Sequence, residues 1–174
     1  NEDIRKRKHN IKNKNCGGKN RLIVNIKTVS IIGSGNVAFH YHKIMKERGY
    51  CVKIISSRKD FFSEDVESDI VVIAVKDDAI KEVLERLPKV NGLLVHTSGF
   101  TKTEILSQKA DNYGCLYPLQ SLNKNKEIDF SKVPLCFYVN NEAYLDCLKR
   151  FVDSLSNKTC FLSDEQRKQL HIAA

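Results

Sequence analysis

Apolar residues of this chain occur in short continuous runs, and most stretches between them have the spacing of amphipathic helices. Such runs are typical of strands that are buried on both faces of a parallel sheet. They predict strands at 27–32, 51–56, 69–75, 92–97, 115–117, 133–139 and 159–162. Apolar residues at helical spacing predict helices at 36–49, 79–87, 101–110, 142–155 and 163–174.

Polar residues mark where two of these helices are expected to begin. Thr101 with Glu104, and Ser163 with Gln166, have the spacing of a capping box. Within the first predicted helix, Phe39 is expected among the residues that face the sheet.

The first predicted strand leads directly into a glycine-rich turn and then into a helix. The turn reads Gly33-Ser34-Gly35-Asn36-Val37-Ala38, a pattern that binds the pyrophosphate of a dinucleotide. Gly33 would allow the tight turn, Gly35 would let the backbone approach the phosphates, and Ala38 would keep the helix close to the strand. The predicted pyrophosphate-binding residues are Gly33, Ser34, Gly35, Asn36 and Val37. The alternative is a plain structural turn.

Strands that alternate with helices predict an α/β fold, and the glycine turn makes it Rossmann-like. We expect a doubly wound, mainly parallel sheet with helices on both faces, ending in the first part of a linker helix. Between the second and third predicted strands there is room only for a short helix or turn, at 60–66. The strand that usually comes third is therefore expected to be abbreviated or absent.

The end of the second predicted strand bears on cofactor choice. NAD-selective sites place an acidic residue about 20 positions after the glycine turn, where it binds the ribose hydroxyls. This chain has Ser56-Ser57-Arg58-Lys59 there, with no acid before Asp60. Arg58 would hold a 2′-phosphate that a carboxylate would repel, so Ser57 and Arg58 favour NADP(H). The alternative is a solvated basic loop.

Polar residues also lie at the carboxyl ends of three further strands, at the sheet edge where α/β folds bind their ligands. They are Lys76 with Asp77, His96 with Thr97 and Ser98, and Tyr117 with Gln120. Val75, Lys76 and Ser98 are predicted to lie on the nicotinamide side, where Ser98 would bind the carboxamide or a substrate carbonyl. His96 is a candidate proton donor, or alternatively a hydrogen-bonded structural histidine. Tyr117 and Gln120 are either cleft wall or ordinary packing.

Composition narrows the function classes. The chain has 174 residues, enough for one domain, and a formal net charge of +8. Residues 1–27 hold nine Lys and Arg against two acidic residues, so the remainder is nearly neutral. We therefore interpret 1–26 as a basic, disordered tail, and nucleic-acid binding is disfavoured.

The six cysteines lack the close pairs of zinc sites and do not suit a disulfide scaffold, so free thiols in a reducing cytoplasm are expected. Neither a metal-ligand pattern nor a membrane-spanning apolar stretch is evident in the sequence.

Taken together, the motifs resemble a known family. They are the glycine turn, Ser57-Arg58, the segments 73–80, 95–99 and 117–121, and the segment 165–174. The chain resembles Rossmann-like NADP oxidoreductases that carry a C-terminal helical domain of unknown function. That family is similar to pyrroline-5-carboxylate reductases, to 6-phosphogluconate and β-hydroxyacid dehydrogenases, and to deazaflavin-dependent NADP oxidoreductases.

The resemblance implies an NADP-binding domain at 27–162 and, at 163–174, the start of a helix leading to a helical dimerisation domain that this chain lacks. It implies hydride transfer to or from a small imine, keto or hydroxy substrate in a homodimer. Catalytic groups of related dehydrogenases lie near His171, which joins Ser98 and His96 as a catalytic candidate. The alternative function is a non-catalytic, dinucleotide-binding regulatory protein.

Overall fold

The computed structural model of the protein describes residues 25–173. The strands of this part of the chain are β1 (Thr28–Ile32), β2 (Cys51–Ile55), β3 (Ile70–Ile73), β4 (Leu93–His96), β5 (Tyr113–Pro118), β6 (Leu135–Val139) and β7 (Thr159–Phe161). Its α-helices are α1 (Asn36–Glu47), α2 (Ile80–Arg86), α3 (Leu145–Leu155) and α4 (Asp164–Ala173). The predicted tail, apart from its last two residues, lies outside the described residues.

The strands form one sheet in the order β2-β1-β3-β4-β5-β6-β7. Neighbouring strands from β2 to β5 are parallel, β6 is antiparallel to β5, and β7 is parallel to β6. The chain runs from β1 outward to β2 and then crosses back to β3, so the winding reverses between β1 and β3. Open α/β sheets bind ligands at such a reversal, beyond the carboxyl ends of the strands. The predicted Rossmann-like, mainly parallel sheet is confirmed.

The connection between β2 and β3 contains a 3₁₀ turn at Ser63–Asp65 and no strand. Within residues 25–173, β2 is consequently an edge of the sheet. The prediction that the usual third strand is abbreviated or absent is confirmed. The first residues of this connection, Ser57 and Arg58, border a cleft at the carboxyl ends of β1 and β2, whereas its end, at Asp69, contacts Thr28 at the start of β1.

Helices cover both faces of the sheet. On one face, Met45 of α1 and Phe151 of α3 belong to a single buried cluster with residues of the central strands. On the other face, Val83 of α2 and Leu106 of a 3₁₀ segment, Thr103–Gln108, join a second cluster. The sheet is therefore packed between two apolar layers. Because both faces are covered, a ligand can reach the sheet at the loops that follow the strand ends.

One local prediction on α1 is wrong. Phe39 is 43% exposed, whereas Ala38, Tyr41 and Met45 are fully buried. Ala38, Tyr41 and Met45 recur at helical spacing and form the stripe of α1 that packs in the core. Phe39 is the residue after Ala38 along the helix and therefore points away from the sheet.

The predicted helix at 101–110 is also wrong, because the segment is the shorter 3₁₀ stretch Thr103–Gln108. The Thr101 hydroxyl accepts a hydrogen bond from Ser98 Oγ at 3.0 Å instead of capping a helix. The backbone N–H of Thr103 donates to Asp164 Oδ2 at 2.8 Å. A partner from α4 thus replaces the local capping box.

The second predicted capping box is confirmed at the start of α4. The backbone N–H of Ser163 donates to Gln166 Oε1 at 2.9 Å, and that of Gln166 donates to Ser163 Oγ at 3.3 Å. These reciprocal bonds satisfy two donors that a helix N-terminus would otherwise leave free.

Candidate functional site

A cleft of about 970 Å³ opens at the carboxyl ends of β1 to β5. Most of the predicted cofactor residues line it, together with residues from three strand ends and from α4. Predicted residues in its wall are Ser34, Gly35, Asn36, Val37, Ser57, Arg58, Val75, Lys76, Ser98 and His171. Gly33 and His96 are not part of this wall. The fold therefore gathers in one place residues that lie far apart in the sequence.

The two glycines of the turn lie in different surroundings, one between two strands and one at the cleft. Gly33 has a φ of +132°, and a Cβ there would lie 2.3 Å from the carbonyl oxygen of Ala74, so only glycine fits between β1 and β3. A Cβ on Gly35 would meet no atom within 4 Å, because this residue faces the open cleft. Gly35 is also the N-cap of α1, and no side chain caps that helix. The first N–H groups of α1 are thus available to an anion.

The loop after β2 brings a free cation to the same cleft. Ser57 and Arg58 line it, whereas Asp60, the first acidic residue after β2, does not. The Arg58 side chain is exposed and has no hydrogen bond or ion pair within residues 25–173. Its guanidinium can therefore pair with an anionic group of a ligand without breaking an existing contact.

Arg86, at the end of α2, is a residue of this loop region that sequence reasoning missed. Its two terminal nitrogens donate to the carbonyl oxygens of Ser57 and Lys59, each at 2.7 Å. Nothing in the local sequence distinguishes it from a solvated helix-end arginine. Only the three-dimensional approach of α2 to the loop reveals it.

Ser98 follows β4 and fixes the turn that borders the cleft. Its hydroxyl oxygen accepts the backbone N–H groups of Phe100 and Thr101, at 3.0 and 2.8 Å. Its proton is donated to the Thr101 hydroxyl at 3.0 Å. The Ser98 side chain is therefore a rigid part of the wall.

His96 lies under that turn and not in the cleft. It is fully buried, and its Nδ1 accepts the backbone N–H of Ser98 at 3.2 Å. Burial, together with the positive charge of Arg167, lowers the pKa of His96 to about 4. His96 is therefore a neutral histidine that supports the backbone of Ser98. This is the structural role that the sequence left open as the alternative to proton donation.

His171 of α4 meets Tyr117 of β5 at the rim of the cleft. His171 Nδ1 and Tyr117 Oη are 2.7 Å apart, and the two rings pack edge to face. A Cβ on Gly99 would lie 2.6 Å from His171 Nδ1 and 2.8 Å from Tyr117 Cζ. Gly99 therefore provides the space in which the two side chains meet. Burial is the first cause of a raised Tyr117 pKa, so its hydroxyl stays protonated at neutral pH.

An ion pair with a buried arginine ties α4 to the segment after β4. Arg167 is 1% exposed, and its Nη1 lies 2.7 Å from Asp164 Oδ1. Its Nη2 donates to the carbonyl oxygen of Thr101 at 2.5 Å. The other carboxylate oxygen of Asp164 accepts the backbone N–H and the hydroxyl of Thr103, at 2.8 and 3.1 Å. The pair thereby fixes the start of α4, the helix that carries His171, against the segment after β4.

Residues 25–173 contain no group of three His, Cys, Asp or Glu side chains arranged to hold a metal ion. Their five cysteines are all free thiols. Within the same range, the helices are too short or too polar to span a bilayer.

Neither a protein-family model nor a curated protein matches the chain. Solved structures do. A Bacteroides fragilis protein, named as a candidate NADP oxidoreductase, is 26% identical over 86% of this chain, with a TM-score of 0.74. The match covers 65% of that protein, so the present chain spans less than two thirds of its length.

Two more distant neighbours show the fold alone. An imine reductase of Myxococcus stipitatus, solved with NADP⁺, is 16% identical with a TM-score of 0.58, covering 84% of this chain and 59% of its own. A prephenate dehydrogenase of A. aeolicus, solved with NAD⁺ and hydroxyphenyl propionate, is 12% identical with a TM-score of 0.61, covering 83% and 63%. The chain is therefore a Rossmann-like domain whose structural neighbours include NADP oxidoreductases.

Proposed function

We propose that this chain is the cofactor-binding part of an NADP(H)-dependent oxidoreductase that acts on a small imine, keto or hydroxy compound. The observation that carries the proposal is the convergence of the uncapped N-terminus of α1 and the unpaired guanidinium of Arg58 on one cleft. The first is suited to a pyrophosphate and the second to a 2′-phosphate. The solved neighbours include both NADP and NAD complexes, so the fold alone does not distinguish the two cofactors. The preference for NADP(H) in this proposal therefore depends on Arg58.

In this proposal each part of the cleft has one task in binding. Gly33 shapes the turn, and the four residues after it hold the pyrophosphate. Ser57 and Arg58 hold the 2′-phosphate. Val75, Lys76 and Ser98 border the nicotinamide. Residues in these roles are Gly33, Ser34, Gly35, Asn36, Val37, Ser57, Arg58, Val75, Lys76 and Ser98.

A bound nicotinamide would supply or accept the hydride, and residues of the chain would orient the ring and donate or accept the accompanying proton. Among the candidates Ser98, His96 and His171, we assign proton transfer to His171. It lines the cleft, its imidazole can both donate and accept a proton, and Tyr117 holds its ring. His96 is buried beneath the wall, and the Ser98 hydroxyl is engaged by its own turn. These two are assigned supporting roles.

We also propose that α4 leads into a helical domain through which a homodimer forms and the substrate pocket is completed. Supporting this are the 65% coverage of the Bacteroides protein and the exposed C-terminal part of α4, where Ile172 is 71% exposed. Tests of activity therefore need the longest natural form of the protein.

The experiment that tests the function is NADPH oxidation in the presence of cyclic imines, 2-keto acids and simple ketones, with the reverse reaction run on hydroxy acids and NADP⁺. Turnover with one of these classes, abolished or strongly reduced in His171→Ala, supports the proposal. Binding of NADPH without turnover on any class would favour the regulatory alternative instead. Failure to bind NADPH would refute the proposal, and failure to bind NADH as well would refute the regulatory alternative.

A further inference from the structure

The loop after β2 is held from outside by Arg86. Its Nη1 donates to the carbonyl oxygen of Lys59 and its Nη2 to that of Ser57, both at 2.7 Å. These two carbonyls belong to the residues on either side of Arg58. A single planar guanidinium thus spans the backbone of the residue that is assigned to the 2′-phosphate.

Arg86 is itself firmly placed. It ends α2, which is anchored in the core through the buried side chains of Val83 and Leu84. Its guanidinium lies 5.4 Å from the centre of the Phe61 ring, and its Nη2 is 3.3 Å from Glu82 Oε1. The side chain is only 28% exposed. The contacts with the loop therefore connect it to a rigid element of the fold.

The backbone of the loop after β2 is held in place by these hydrogen bonds, whereas the side chain of Arg58 is free. On its far side, Lys59 Nζ pairs with Asp65 at 2.9 Å, and the Arg58 N–H donates weakly to Ser56 Oγ at 3.3 Å. No contact within the described residues holds the Arg58 guanidinium. An exposed polar loop would otherwise sample many backbone conformations, and a ligand would have to offset the entropy of ordering it.

From this arrangement we infer that Arg86 is a specificity-determining positioning residue, which orients the loop so that Ser57 and Arg58 face the 2′-phosphate of NADP(H). The inference rests on the proposed function. Arg86 acts through the loop carbonyls and not by contact with the cofactor. Lysine cannot replace it, because an ammonium group cannot give two parallel hydrogen bonds to carbonyls in fixed directions.

Calorimetric titration of the longest natural form with NADPH and with NADH tests the inference. Arg86→Lys and Arg86→Gln are each expected to weaken NADPH binding roughly tenfold, as the loss of one or two hydrogen bonds implies, and NADH binding less than twofold. Glu82→Gln is the matched control, since it removes the neighbouring carboxylate and keeps both loop contacts. It is expected to leave both affinities within twofold. Circular dichroism melting shows that the variants are folded.

A double-variant cycle separates positioning from direct attraction. If Arg86 acts through Arg58, then Arg86→Lys has little further effect on NADPH binding in an Arg58→Ala background. Independent, multiplicative losses would overturn the inference. So would an unchanged preference for NADPH in Arg86→Lys and Arg86→Gln, or an equal loss for the two cofactors. Equal wild-type affinity for NADPH and NADH would instead refute the proposed cofactor itself and, with it, the inference.

Discussion

His171 Nδ1 lies 2.7 Å from the Tyr117 hydroxyl, and the two residues are separated by 54 positions in the sequence. The contact joins α4 to the end of β5 across the backbone of Gly99. It is the point at which the C-terminal helix takes part in the wall of the cleft. The packing at this rim of the cleft therefore depends on Gly99, Tyr117 and His171, and a substitution of any one should shift the other two.

Gly99→Ala is expected to lower the free energy of unfolding by about 1–3 kcal/mol, because the new methyl group would overlap His171 and Tyr117. Urea denaturation monitored by circular dichroism measures the loss. The same substitution made in a His171→Ala background should cost clearly less, since one of the two obstructing rings is then gone. Equal costs in the two backgrounds would mean that His171 does not occupy this position.

Asp164→Asn is expected to destabilise the fold by about 3 kcal/mol, because it leaves the fully buried Arg167 guanidinium without its counter-charge. Chemical denaturation again provides the measurement. Asp111→Asn is the control, since its pair with Lys89 is 3.4 Å long and both side chains are largely exposed. That change should cost less than about 1 kcal/mol. Similar losses of stability for the two variants would contradict the claim that the buried Arg167 depends on its ion pair with Asp164.

The depressed pKa of His96 gives stability a defined pH dependence. The folded value is about 4 and the ordinary value is 6.5, so the unfolded chain binds the proton more tightly. The contribution is present above about pH 6.5 and is lost as the pH falls toward 4, which amounts to on the order of 2 kcal/mol between pH 7 and pH 5. His96→Gln keeps an acceptor for the Ser98 N–H and cannot titrate. Its unfolding free energy should fall less over that interval, and parallel pH profiles would contradict the assignment.

Much of the fold was predictable because its signals are local. The apolar runs predicted the strands, and the glycine turn at Gly33 and Gly35 predicted the Rossmann-like fold. The absence of an acid near Arg58 was likewise visible in a short window. Each of these features depends on neighbours within a few residues of itself.

The parts that sequence reasoning missed depend on contacts between distant segments. Arg167 reaches Thr101, and Arg86 reaches Ser57, across separations of 66 and 29 positions. The register of β4 decides that His96 is buried beside Ile73 and Cys115 of the neighbouring strands and does not face the cleft. A histidine at a strand end looks the same in sequence in either case.

The central claim, that Arg58 holds a 2′-phosphate, is tested most directly by the affinities of Arg58→Ala for NADPH and NADH. Lys46→Ala, exposed on α1 outside the cleft lining, is the control for a simple change in net charge. We predict that Arg58→Ala weakens NADPH binding roughly tenfold to a hundredfold, as the loss of a charged hydrogen-bonding partner implies, and changes NADH binding less than twofold. An equal effect on the two cofactors, or no effect on either, would contradict the account.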